Sequence, residues 1–156
     1  MELNIDIHLL FALMNGKVSL AINKRLQENF TSAGVQITPE MWNVLICLYE
    51  EEYVAQSELC DTVFLDKVSL TRLLEAMEQQ RYVYRMHNPR DRRAKFVYLT
   101  DKGRLIKEQA QLIAIRTLKE ALAGLGMEDI SICQEVLRRI FENTKPNKHK
   151  SVSVLG

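Results

Sequence analysis

The side chains equipped for chemistry gather in one stretch of the chain. From Leu65 to Lys95 stand Lys67, Arg72, Arg81, Arg85, Arg90, Arg92, Arg93 and Lys95 against Asp66, Glu75, Glu78 and Asp91, a net charge of +4. The whole 156-residue chain carries only +1, so the remainder is at −3. Charge this localised is a footprint for phosphate rather than a device for solubility; a solvated charged hairpin is the plain alternative. Nothing else has the make-up of a reaction centre. His8, His87 and His149 are far apart in sequence. No nucleophile motif, glycine-rich phosphate loop or set of ligands at metal spacing accompanies them, so an enzyme, a metal and a cofactor are all unexpected.

The elements that must carry the basic cluster are a pair of helices and a hairpin. Over Asp66 to Gln80, Leu70, Leu73, Leu74 and Met77 follow the i, i+3, i+4, i+7 spacing of a helix seated on a core. The opposite face holds Val68, Arg72 and Gln79, flanked by Ser69, Thr71, Glu75 and Ala76. An arginine, two hydroxyls and a valine near the helix start suit base edges, phosphates and thymine methyls in a major groove. The same face serves equally as the solvated side of an ordinary amphipathic helix. The preceding helix, Ala55 to Val63, opens on Gln56 and Ser57, where free backbone N–H groups can bind a phosphate. Tyr82-Val83-Tyr84 and Phe96-Val97-Tyr98 read as two strands. The loop Asn88-Pro89-Arg90-Asp91-Arg92-Arg93 between them combines turn chemistry with positive charge. The stretch from Ser57 to Thr100 is thus a helix-turn-helix followed by a wing.

The combination of Leu65-Asp66-Lys67 with Thr71-Arg72-Leu73, the loop Pro89-Arg90-Asp91-Arg92-Arg93-Ala94, and the exit Val97-x-Leu99-Thr100-x-x-Gly103 resembles the MarR family of bacterial winged-helix transcription regulators. The likeness extends over nearly the whole chain. Three positions depart from the family pattern: Asn88 stands where Asp is common, Phe64 where the turn between the helices often has Gly, and Arg81 where Gly usually follows the recognition helix. The last two imply a different local backbone or packing.

The resemblance and the charge together lead to a homodimeric, sequence-specific DNA-binding repressor. Lys67, Val68, Ser69, Thr71 and Arg72 are the expected contacts to bases and nearby phosphates, with Gln56 and Ser57 on a phosphate. Arg90, Arg92 and Arg93 are expected in or along the minor groove, where a narrow A·T tract attracts arginine. In the family Asp91 commonly pairs with a wing arginine and holds the loop in shape. The family's small-molecule pocket lies where the first, second and fifth helices meet, which makes His8, Phe11, Trp42 and Leu45 the candidate lining. Its effectors are often anionic aromatic compounds. Two other readings stay open: a winged-helix protein-interaction module, and a thiol-based redox-responsive regulator acting through Cys60. Activation in place of repression is not separable by sequence.

The rest of the chain fits one domain with enough apolar residues for a core. No apolar run reaches the roughly 18 residues needed to span a bilayer, and Met1 to Asp6 lacks the basic start of a secretory signal. A cytoplasmic protein with no membrane partner is expected. Cys47, Cys60 and Cys133 are scattered among apolar neighbours, as reduced, buried, structural thiols would be. Leu3 to about Phe30 reads as one long helix through Ile7, Leu10, Phe11, Met14, Val18, Ala21, Ile22 and Leu26. Thr31 to Gly34 breaks it, and Thr38 with Pro39 starts another that runs to about Glu50. Glu51-Glu52-Tyr53 is an acidic linker. Thr100 caps a helix through Leu105, Leu112, Ile115, Leu118 and Leu122, and a last helix carries Ile130, Cys133, Leu137, Ile140 and Phe141.

The expected architecture is therefore mainly α, an α+β winged helix-turn-helix with about six helices and a small β-hairpin wing. Residues 1–144 form a single regulator, with helices in 1–33 and 101–144 for dimerisation and a DNA-binding lobe at 38–100. Residues 145–156 are a flexible basic tail.

Overall fold

The computed structural model describes residues 6–145, which fall into two compact units, one ending at Ala121 and the other starting at Leu122. The beginning of the expected first helix at Leu3, and the expected tail from Pro146 onward, lie outside the described residues. Counting a broken N-terminal helix as one, there are six helices among the described residues, with one three-stranded antiparallel sheet.

The chain starts with α1 (Ile7–Ala12), whose first turn is capped by Asp6 Oδ1 accepting from Leu9 N at 2.9 Å. A π-helical turn, Leu13–Lys17, follows and leads into α2 (Val18–Ser32). The single straight helix expected from the apolar spacing is therefore broken: Asn15 has φ −85° and ψ 30°, and Gly16 has φ 106°. Only glycine reaches that backbone without a steric penalty. At its far end α2 closes with Val35 N donating to Phe30 O at 2.9 Å and Gly34 N to Thr31 O at 3.1 Å. Gly34 supplies the left-handed residue, φ 71°, that this type of helix end requires.

Thr38 caps α3 (Pro39–Tyr49) as its sequence implies, its hydroxyl accepting from Met41 N at 3.2 Å. Val54–Ala55 then forms a short strand, β1, where only a linker and the start of a helix were expected. It leads into α4 (Gln56–Val63) and α5 (Lys67–Gln79). The hairpin is β2 (Val83–Asn88) and β3 (Asp91–Leu99), so only Pro89 and Arg90 lie in the turn. Arg92 and Arg93, expected in the loop, are strand residues. The strand order is β1-β3-β2, with Val54 opposite Val97 and Tyr84 opposite Tyr98.

The core of this unit lies where α3, α4, α5 and the sheet converge. Leu45, Leu48, Leu59, Leu70, Leu74 and Met77 are fully or almost fully buried in it. α6 (Asp101–Ala121) packs on α2 and α3 and buries Gly103, Ala110, Ile113 and Thr117. Leu105, Leu112, Ile115 and Leu118 of the same helix face outward. The buried face of α6 thus combines two small residues and a threonine with Ile113, while Leu105, Leu112 and Leu118 remain exposed.

The second unit contains α7 (Met127–Thr144), which has no buried residue of its own. Met127, Ile132, Val136 and Leu137 are exposed along it. Cys133 is exposed too, contrary to the expected burial, whereas Cys47 and Cys60 are half-buried. Burial pushes the Cys47 thiol above its usual range. Among the described residues no helix is long and apolar enough to cross a membrane.

Candidate nucleic-acid interface

Asp66 sets the start of α5. Its Oδ1 accepts from Ser69 N at 2.9 Å and its Oδ2 from Ser69 Oγ at 2.7 Å. These bonds hold the Asp66 carboxyl below the usual carboxylate range. They satisfy an otherwise open N–H of the first turn and fix the Ser69 hydroxyl towards the cap. On the inner side Leu70, Leu74 and Met77 are fully buried. On the outer side Lys67, Val68, Ser69 and Arg72 are exposed, as the spacing of the buried residues requires.

Thr71 differs from the expectation. It is half-buried, and its hydroxyl donates back to Lys67 O at 2.7 Å. With that proton committed, it accepts from Gln56 Nε2 at 3.2 Å. Thr71 and Gln56 therefore tie α5 to α4 on the wall of a cleft between these helices and the strands. Gln56 Oε1 is buried and has no hydrogen-bond partner among the described residues. No side chain caps α4, so the first-turn N–H groups near Gln56 and Ser57 remain available to an anion.

The wing is shaped by its own backbone bonds. Asn88 Oδ1 accepts from Arg90 N at 2.9 Å, doing there what an Asp would do. Asp91 Oδ1 accepts from Arg93 N at 3.0 Å. Among the described residues Asp91 is in no ion pair, so it shapes the wing through a main-chain N–H rather than through an arginine side chain. Arg90, Arg92 and Arg93 are all exposed, with no carboxylate within ion-pair distance among the described residues. A cleft of about 860 Å³ lies between α4, the start of α5 and the strands, and Ser57, Cys60, Lys67, Arg93 and Lys95 are on its walls.

Sequence reasoning missed the ion pair between Glu78 of α5 and Arg85 of β2, since a seven-residue separation across a turn has no helical or strand periodicity. It also missed the aromatic ladder on the outer face of the sheet. Tyr84 and Tyr98 stack there at 4.8 Å between centroids, with Tyr53 5.5 Å from Tyr98. The register Tyr84 opposite Tyr98 is set by an irregularity between His87, opposite Lys95, and Asn88, opposite Asp91, which no local signal in the sequence marks.

The four candidate pocket residues are not gathered. Leu45 is fully buried and Trp42 packs against the same core. Phe11 is 68% exposed and lines a shallow depression with Leu10, Met14 and Asn15. His8 is exposed. Leu45 is committed to packing, and the break at Gly16 separates the direction of α1 from that of α2.

An exposed recognition helix beside an arginine-bearing wing defines a winged-helix DNA-binding protein. The MarR family profile matches residues 37–95, the span from the start of α3 to the wing. The uncharacterised HTH-type transcriptional regulator YdgJ of Bacillus subtilis is 32% identical over 122 residues, which cover 78% of this chain and 74% of that protein. Two solved structures hold DNA. A mutant MarR from E. coli complexed with operator DNA has a TM-score of 0.71 and 26% identity, covering 87% of this chain and 94% of that one. The transcriptional repressor CouR, bound to a 23-mer DNA duplex, has a TM-score of 0.72 and 26% identity, covering 80% of this chain and 87% of that one. The chain belongs to the MarR family. It is a DNA-binding transcriptional regulator.

Proposed function

We propose that the protein is a homodimeric, cytoplasmic repressor that reads a pseudo-palindromic operator and leaves it when a small molecule binds. The observation that carries this reading is the exposed group Lys67, Val68, Ser69 and Arg72 at the start of α5, beside a wing whose three arginines have no carboxylate partner among the described residues. Such a surface offers base contacts from the helix and phosphate or minor-groove contacts from the wing. Ser57 and the first-turn N–H groups of α4 would hold a phosphate at the edge of the cleft. The outward leucines of α6 and the exposed apolar residues of α1, Leu9, Leu10 and Phe11, supply a surface for a second copy. Two copies would set two α5 helices in successive major grooves, about 34 Å apart.

Regulation follows from that spacing. A ligand preferring another separation of the two lobes lowers operator affinity by the coupling between the sites; the family resemblance favours a small anionic aromatic compound.

Binding of the purified protein to random duplexes at two salt concentrations tests the reading. An inverted repeat with half-sites one helical turn apart supports a dimeric sequence reader, and affinity should fall steeply with salt. Retention without a motif would reduce the function to non-specific attraction. No retention at low salt would replace DNA by a protein partner.

A second reading, redox control, has one observation in its favour: the half-buried Cys60 lies on the wall of the same cleft as Lys67 and Arg93. Equal operator affinity of the wild type and Cys60→Ser after peroxide treatment would remove it.

A further inference from the structure

Glu78 and Arg85 join the recognition helix to the wing. Arg85 donates from Nε to Glu78 Oε1 and from Nη2 to Glu78 Oε2, each at 2.9 Å. The arginine side chain is only 12% exposed and the carboxylate 32%. The pair spans the corner at which the chain leaves α5, turns through the left-handed Arg81 and enters β2. A two-pronged guanidinium–carboxylate fork tolerates little rotation, so it acts as a strut across that corner.

Arg85 also has a place in the DNA-facing cleft. It lines the wall together with Lys67, Arg93 and Lys95. Of these four cations, Arg85 alone is held in an ion pair among the described residues. The Arg85 guanidinium in turn keeps the Glu78 carboxyl below the usual carboxylate range, with burial opposing it and the Lys95 charge adding a little.

We propose that Glu78 is a specificity-determining residue that acts without touching DNA: it fixes the wing against the recognition helix and keeps Arg85 off the phosphates. The inference rests on the sequence-reading function above. A phosphate contact carries no sequence information, so a released Arg85 strengthens binding to any duplex. A wing released from the helix loses its register with the bases that α5 reads. Both effects move the protein from selective towards indiscriminate binding.

The test uses the full chain and two duplexes, the operator recovered by selection and a scrambled sequence of the same composition, each titrated over a salt series. Glu78→Gln preserves shape and removes the charge. Its expected behaviour is tighter binding to the scrambled duplex, with a salt dependence steeper by about 0.9 in logarithmic slope, the value of one added phosphate. The operator-to-scrambled ratio should fall about tenfold, the effect of one mismatched base pair. In Glu78→Gln/Arg85→Gln the slope should return to the wild-type value while the ratio stays low. Should Glu78→Gln fail to fold, Arg85→Lys keeps the charge, loses the fork and is expected to lower the ratio in the same way. A slope and ratio equal to wild type would overturn the inference. So would equal weakening on both duplexes at unchanged slope, the mark of a merely stabilising pair. A wild-type protein with no preference between the duplexes would overturn the sequence-reading function itself.

Discussion

Gly103 lies so close to the carbonyl of Tyr82 that a methyl group on its Cα would overlap that oxygen and stand 2.7 Å from Leu99 Cδ1. Thr100 occupies the same joint: its hydroxyl donates to Arg81 O at 2.6 Å and accepts from Gly103 N at 2.9 Å. The Leu-Thr-x-x-Gly pattern is therefore the chemistry of a helix leaving a sheet at close quarters. Gly103→Ala should cost about 1–3 kcal/mol, the usual penalty of overpacking, measurable as a lowered midpoint in urea.

Arg81 takes the left-handed position at the end of α5, with φ 61°. Tyr82 N donates to Met77 O and Arg81 N to Glu78 O, each at 2.9 Å, the same two bonds that close α2 around Gly34. Arg81→Gly should raise stability by a net of about 0.5–1 kcal/mol, once the relief of left-handed strain is offset by the larger unfolded entropy of glycine. Chemical denaturation against wild type reads the sign directly.

Asn29 Nδ2 donates to Thr117 Oγ1 at 2.7 Å between α2 and α6, and both residues are buried. Thr117→Val leaves the amide without its partner and should cost about 1–3 kcal/mol. Asn29→Leu/Thr117→Val removes both polar groups and should recover part of the loss. A double-mutant cycle by denaturation measures the difference.

Arg72 is exposed on the outer face of α5. Arg72→Ala should weaken operator binding by about 1–3 kcal/mol and relax the preference at one base pair. Repeating the duplex selection with the variant distinguishes this from a phosphate clamp, which would weaken all sequences alike.

Glu78 gives stability a defined acid limb. Its carboxyl is held below the unfolded value of about 4.3, chiefly by the Arg85 hydrogen bond. The contribution is complete above the unfolded value and is lost as pH falls through the folded one. Asp66, held low by Ser69, acts with the same sign. Denaturation from pH 7 down to 3 should show a shallower acid loss in Glu78→Gln than in wild type.

Much of this was legible because the signals were local. Leu70, Leu74 and Met77 repeat at helical spacing, and Thr38-Pro39 is a cap with a mechanism. The Arg-rich turn carries its own turn residues. What escaped depended on tertiary context. Val54–Ala55 is too short to show a strand period, and becomes a strand only because Val97 and Phe96 offer an edge. Apolar spacing runs unbroken across Gly16, so nothing in it marked the kink. Arg92 and Arg93 read as loop because neither alternates with an apolar residue. Thr71 read as an open hydroxyl because the outer face of a helix does not reveal which hydroxyl its own backbone has claimed. Leu45, which reads equally as a cavity wall or a core residue from its spacing, is buried in the core.

No atom comes within 4 Å of where a side chain would stand on Gly16. What holds that position to glycine is thus the dihedral angle, and the outer arm of the helix is aimed by the backbone of Asn15 and Gly16. In a twofold assembly each such rotation is repeated by symmetry, so a small angular change at these two residues is geared into twice the displacement between opposing arms.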